Sequence, residues 1–143
     1  MIIIAKLKNA IGDTPIDVVI HNAGGAQPIS EDRSKDLQGR EVFTEQSFDS
    51  ISTKAMSDTF NLNALSVVRV QQALTDKMSE GGKVLIISTG MGSINDNNSG
   101  GLYAYRASKA ALNMIGKNMS CDLKSKGIYY NLFFLCHSVT NYL

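Results

Sequence analysis

The sequence predicts an α/β fold with three parallel strands and flanking helices, on three observations. Two short apolar runs, Ile16–Ile20 and Lys83–Ser88, are separated by a stretch with helical periodicity. Each run ends in small or hydroxyl residues, Asn22-Ala23-Gly24-Gly25 and Ser88-Thr89-Gly90. A second helical stretch leads to a third run, Ile128–Leu135. Strand, helix, strand in this order makes right-handed crossover units, and such sheets take ligands beyond the carboxyl ends of their strands. Both small-residue turns fall at that end.

Ile2 to Ile4 favour a strand, but Ala5 to Ile11 alternate like a helix closed by Gly12, so residues 1–12 are read as a helix remnant. Pro15 starts the first strand, whose continuous apolar character suits cover on both faces. Residues 26–50 carry Pro28, Gly39 and the charge run Glu31 to Asp36, and read as a loop insertion with a short helix near Thr44 to Phe48. The charge run reads as a solvated face. Ser50 or Ser52 then caps a helix in which Met56, Phe60, Ala64, Val67, Val68 and Leu74 recur at helical spacing to about Met78. Glu80-Gly81-Gly82 breaks it. The last helix spans 103–124 with Gly127 closing it, and 128–143 form an atypical C-terminal tail. All of this reads as one domain, 1–143.

A net charge of +1 with 43% apolar residues gives no bias toward nucleic acid or anionic membrane. No apolar run approaches the ~18 residues of a membrane span, and no secretory signal is visible, so a cytoplasmic protein is expected. Cys121 and Cys136 have neither metal-site spacing nor disulfide density, and are read as reduced, structurally buried thiols. His137 has no partner cluster and is read as incidental; no metal site is expected.

Tyr105 and Lys109 are the candidate chemical pair. Spaced i,i+4 on the last helix, they share a face one turn apart, so the ammonium can stabilise a phenolate that otherwise forms only near pH ~10. Such pairs also occur on solvated helix faces. Asn63 lies in the preceding helix among apolar neighbours, where a buried amide must find partners.

Four motifs in order, Asn22-Ala23-Gly24, Asn63, Ser88-Thr89-Gly90-Met91-Gly92-Ser93-Ile94 and Tyr105/Lys109, resemble those of the short-chain dehydrogenase/reductase family. The match runs from about Ile16 to Gly127, and the loop Gly92 to Tyr105 is most similar to small carbonyl-reductase-like members. The resemblance implies a partial Rossmann (doubly wound) fold and an enzyme: an NAD(P)-dependent oxidoreductase reducing a small carbonyl, or oxidising an alcohol, by hydride transfer. By the same resemblance Tyr105 is general acid/base and Lys109 lowers its pKa and holds the nicotinamide ribose. Asn63 supports a water relay, Thr89 binds the substrate oxygen with Ser88 second, and Asn22, Ala23 and Gly24 contact the cofactor. Thr89 stands where the family usually has Ser.

The family's N-terminal nucleotide-binding half, with its Gly-rich phosphate loop, is missing from this sequence, and the Pro-Gly turn expected after the third strand is absent too. The chain is therefore read as truncated at both ends, which predicts impaired NAD(P)(H) binding. NAD or NADP preference is not encoded in the residues present. The competing reading is a catalytically inactive fragment acting through association of the helices 51–78 and 103–124 with another subunit, possible as a homo-oligomer.

Overall fold

The computed structural model describes residues 2–25 and 47–135. Helix α1 (Ile2–Ile11) ends at Gly12, whose φ of 58° is the left-handed stop expected there. Strand β1 (Ile16–His21) is followed, after the Asn22–Gly25 turn, by α2 (Thr53–Phe60), a π-helical turn (Asn61–Leu65) and α3 (Ser66–Leu74). Ser52 caps α2 by accepting a hydrogen bond from the Ala55 amide. Strand β2 (Met78–Thr89) leads through a short 3-10 turn to α4 (Tyr103–Asp122), and β3 (Tyr129–Leu135) follows Gly127 at φ 68°.

The strands form one parallel sheet in the order β1-β2-β3, with Val19 opposite Val84 and Ile86 opposite Leu132. Alternation along the strands turns Val19, Val84 and Ile86 to one face, where they bury against Val67 and Leu74 of α3 and Leu112 of α4. Leu7 and Ile11 of α1 pack at the rim of this core. Gly116 lets α4 approach the sheet closely, since a Cβ there would lie 3.1 Å from Ile86 Cδ1. This is a partial Rossmann-type α/β fold.

Three expectations need correction. The helical segment ends close to where it was expected, in a 3-10 turn, Thr75–Lys77, but the strand expected from Lys83 already begins at Met78, and Glu80-Gly81-Gly82, expected to break the helix, form an irregular stretch inside that strand. Gly81, at φ 82°, supplies the backbone conformation that the irregularity needs. The first strand is not covered on both faces, because Val18 and Ile20 are 49% and 58% exposed on the side away from the described helices. Cys121, expected to be buried, is exposed near the end of α4. The segment expected as an insertion lies outside the described residues except for 47–50, which form a turn, and the tail beyond Leu135, with Cys136 and His137, also lies outside them.

Candidate active site

The parallel sheet delivers the ends of β1 and β2 to the same edge, and α4 crosses beside them. There the turn after β1 is held by one side chain. Asn63 Nδ2 donates to the Gly25 carbonyl at 2.8 Å, and the Gly25 amide donates to Asn63 Oδ1 at 2.9 Å. The same Nδ2 donates to Ser108 Oγ at 2.8 Å, and the Ser108 hydroxyl donates a hydrogen bond to the Tyr105 carbonyl at 2.7 Å. Asn63 is fully buried, so these bonds meet the cost of withdrawing its amide from water. Its side-chain hydrogens are thereby committed to protein partners.

Asn63 reaches Gly25 because the helix is wound wider at that point. The Ser66 amide bonds to the Asn61 carbonyl five residues back, as π turns do.

Lys109 is 6% exposed, donates from Nζ to the Ile87 carbonyl at 3.2 Å, and sits 5.9 Å from the centroid of the Tyr105 ring. A Cβ built on Gly24 would lie 3.0 Å from Asn63 Oδ1 and 3.4 Å from Lys109 Nζ, so the ammonium lies directly beside the turn. Asn22 and Ala23 are exposed in that turn, open to a ligand. Thr89 is buried at the end of β2 and its Oγ1 accepts from the Met91 amide at 3.3 Å. Ser88, the second hydroxyl candidate, points elsewhere: it donates to Asn113 Oδ1 on α4.

The expected lowering of the Tyr105 pKa is not found. Burial pushes its phenol above the usual 10.0, and burial also pushes the Lys109 ammonium below its usual 10.5. The physical reason is that Lys109 directs its hydrogen bond to the Ile87 main chain and lies beside the ring, so loss of water outweighs any stabilisation of a phenolate.

The structure thus gathers Gly24, Asn63, Thr89, Tyr105 and Lys109 around the carboxyl end of the sheet. The sequence placed Gly25 in the turn without its pairing to Asn63, and Ser108 and the Ile87 carbonyl were missed. Ser108 was findable, since it stands at i+3 from Tyr105 on the same helix; a main-chain acceptor on another element leaves no mark in the sequence. Nearby, His21 at the end of β1 is buried against Gln71, its Nε2 3.0 Å from Oε1, and burial holds its imidazole below the usual pKa.

Residues 3–140 match the profile of the short chain dehydrogenase family. The C-signal protein of Myxococcus xanthus is 36% identical over 115 residues, covering 79% of this chain and 60% of that protein. The 1-hydroxy-2-glutathionyl-2-methyl-3-butene dehydrogenase of Rhodococcus sp. (strain AD45) is 45% identical over 67 residues, covering 47% of this chain and 30% of the enzyme. Among solved structures, a Burkholderia multivorans protein described as a short-chain dehydrogenase/reductase with bound NADP superposes with TM-score 0.73 and 29% identity, over 92% of this chain and 51% of its own. A carbonyl reductase from Pseudomonas aeruginosa PAO1 in complex with NADP gives TM-score 0.71 and 25% identity, over 92% and 50%. The chain therefore spans 30% and 60% of these two curated relatives and about half of each solved structure. With the profile running through nearly every residue and the architecture shared, the chain belongs to the short chain dehydrogenase family.

Proposed function

We propose that this chain carries the catalytic residues of an NAD(P)-dependent oxidoreductase that reduces a small carbonyl, with Tyr105 as general acid/base. The observation that supports this most is the bonded sequence from Gly25 through Asn63 and Ser108 to Tyr105, with Lys109 Nζ beside Gly24. The space over Gly24, which a Cβ would fill, fits the nicotinamide end of a dinucleotide: Asn22, Ala23 and Gly24 would offer close backbone approach and Lys109 would hold the ribose. When bound, the nicotinamide supplies the hydride.

Tyr105, kept protonated by burial, holds the proton that the developing alkoxide takes from Oη. Thr89 Oγ1 accepts from Met91, so its own proton remains to donate to the substrate oxygen. Asn63 fixes the turn and, through Ser108, the first turn of α4; its role is to hold geometry. Proton transfer of this kind contributes about 10²–10⁴ in rate.

The test is loss of reduced-nicotinamide absorbance with a panel of small aldehydes and ketones. Turnover abolished by Tyr105→Phe supports the proposal; turnover that survives it overturns the role of Tyr105. Among the described residues no strand-to-helix turn has the Gly-x-Gly-x-x-Gly spacing that wraps a pyrophosphate, so these 143 residues alone are expected to bind dinucleotide weakly. A low-micromolar Kd in a titration would contradict that.

A second reading, a non-catalytic chain associating through its helices, is favoured by Phe60 on α2 and Met114 on α4, which are 37% and 62% exposed. A folded chain without cofactor response that sediments as an oligomer, and as a monomer once Met114 becomes Glu, would favour it.

A further inference from the structure

We propose that Asn113 is a positioning residue that clamps the Thr89 turn onto α4 and so sets Thr89 relative to Tyr105 and Lys109. The inference rests on the reductase reading above. Asn113 lies one helical turn beyond Lys109. Its Oδ1 accepts from Ser88 Oγ at 2.5 Å, and its Nδ2 donates to the Gly92 carbonyl at 3.5 Å. Ser88 and Gly92 flank Thr89, Gly90 and Met91, so one amide grips the turn at both of its ends.

The turn is built to be gripped. Gly92 is buried with no room for a side chain: a Cβ there would lie 2.9 Å from Asn113 Nδ2 and 2.9 Å from the Lys109 carbonyl carbon. The Ser93 amide closes the turn on the Gly90 carbonyl at 2.9 Å, and Met91 bonds back to Thr89 Oγ1. Tyr105, Lys109 and Asn113 follow one another at i+4 spacing along α4. The helix that carries the proposed acid and its lysine thus also carries the residue that fixes the substrate-binding hydroxyl. Asn113 bonds to Ser88 and Gly92, either side of Thr89, so it acts through the turn.

Amide hydrogen exchange and steady-state kinetics test this on the whole chain, with Asn113→Ala and Ser88→Ala as separate variants; the second removes one arm of the grip with little change of volume. Both variants should exchange the Ser93 and Met91 amides at least ~10-fold faster while the β1 amides keep their protection. Where the parent turns over, both should lower kcat about 10- to 100-fold with KM little changed, the effect of a small misplacement. Unaltered exchange at Ser93 and Met91 overturns the clamp. Faster exchange with undiminished kcat overturns its role in the reaction. If the parent chain shows no turnover, the reductase reading fails on its own, and the exchange result alone decides the clamp.

Discussion

Asn63 pairs with Gly25 through both ends of its amide, Nδ2 to the carbonyl at 2.8 Å and Oδ1 to the amide at 2.9 Å, as one strand pairs with another. The turn after β1 is thereby tied to a helix residue 38 positions later in the chain. Asn63→Leu would leave the Ser108 hydroxyl without its buried donor and Gly25 without either bond. The expected loss is about 1–3 kcal/mol in urea unfolding, and turnover should fall further than stability does. Asn63→Asp keeps the acceptor for the Gly25 amide but loses both donations, so it should rescue only part.

Gly24 stands where packing and chemistry meet. A Cβ there would lie 3.0 Å from Asn63 Oδ1 and 3.4 Å from Lys109 Nζ. Asn63 is buried and held by its bonds to Gly25 and Ser108, so it gives way only at a cost, and Gly24→Ala should lower stability by about 1 kcal/mol. The methyl would occupy the proposed nicotinamide position, and kcat/KM should fall of order tenfold or more. A variant with parental kcat/KM would move the cofactor elsewhere.

The direction of the Tyr105 shift sets the pH profile. A phenol held above 10.0 is protonated throughout the neutral range, which suits proton donation. The kcat/KM for reduction, which reports the free enzyme, should be flat from about pH 7 to beyond 10, while that for alcohol oxidation, which needs phenolate, should rise about tenfold per unit over the same range. Stability follows from the same sign. A folded-state pKa raised above the unfolded value contributes stability present below pH 10 and lost as pH rises through the folded value; Tyr130, pushed up to about 12, adds to this. Lys109 works the other way, its burial costing stability at low pH and less as pH rises toward 10.5. A fall in reductive kcat/KM well below pH 10 would show that Lys109 does lower the phenol's pKa.

At Gly116 two effects of similar size oppose each other. Alanine gains about 1 kcal/mol in helix propensity over glycine, but its Cβ would sit 3.1 Å from Ile86 Cδ1 and 3.2 Å from Leu132 Cδ2. Those methyl ends can give by a few tenths of an ångström, so Gly116→Ala should stay within about 1 kcal/mol of the parent. Valine adds two branches that cannot be absorbed, and should cost about 1–3 kcal/mol in denaturant unfolding.

What was legible in the sequence was what depends on neighbours along the chain. The cap at Ser52, the stops at Gly12 and Gly127, the three apolar runs and the Tyr105/Lys109 spacing are local patterns, and each appears in the structure close to where it was expected. The partner of Lys109 was not legible, because it is a carbonyl on another element. Nor was the direction of the Tyr105 shift, which depends on how much water the fold removes. The early start of β2 was hidden because Met78 continues a helical apolar pattern and joins the sheet only by pairing with Ile16. The open face at Val18 and Ile20 was missed because an apolar run does not reveal which of its faces the rest of the chain covers.

The π turn has a geometric consequence for the whole helical segment before β2. Ala55, Thr59, Asn63, Val67 and Gln71 are all buried, one every four residues. On an unbroken α-helix of 3.6 residues per turn, a four-residue repeat precesses by about 40° each time, roughly 160° from Ala55 to Gln71. That drift would carry one end of the series round to solvent. Between Asn61 and Leu65 the wider winding takes up an extra residue without advancing the face, and the precession is largely reset. Forcing the same residues into ordinary α-helix would swing Val67 and Gln71 by about 80° relative to Ala55 and Thr59, whereas deleting one residue of the turn would keep the two flanks in phase and lose only the widened winding at Asn63. The extra residue and the wider turn therefore belong together: the winding absorbs the residue, so the polar contact at the sheet edge and the apolar contact beneath it stay in phase.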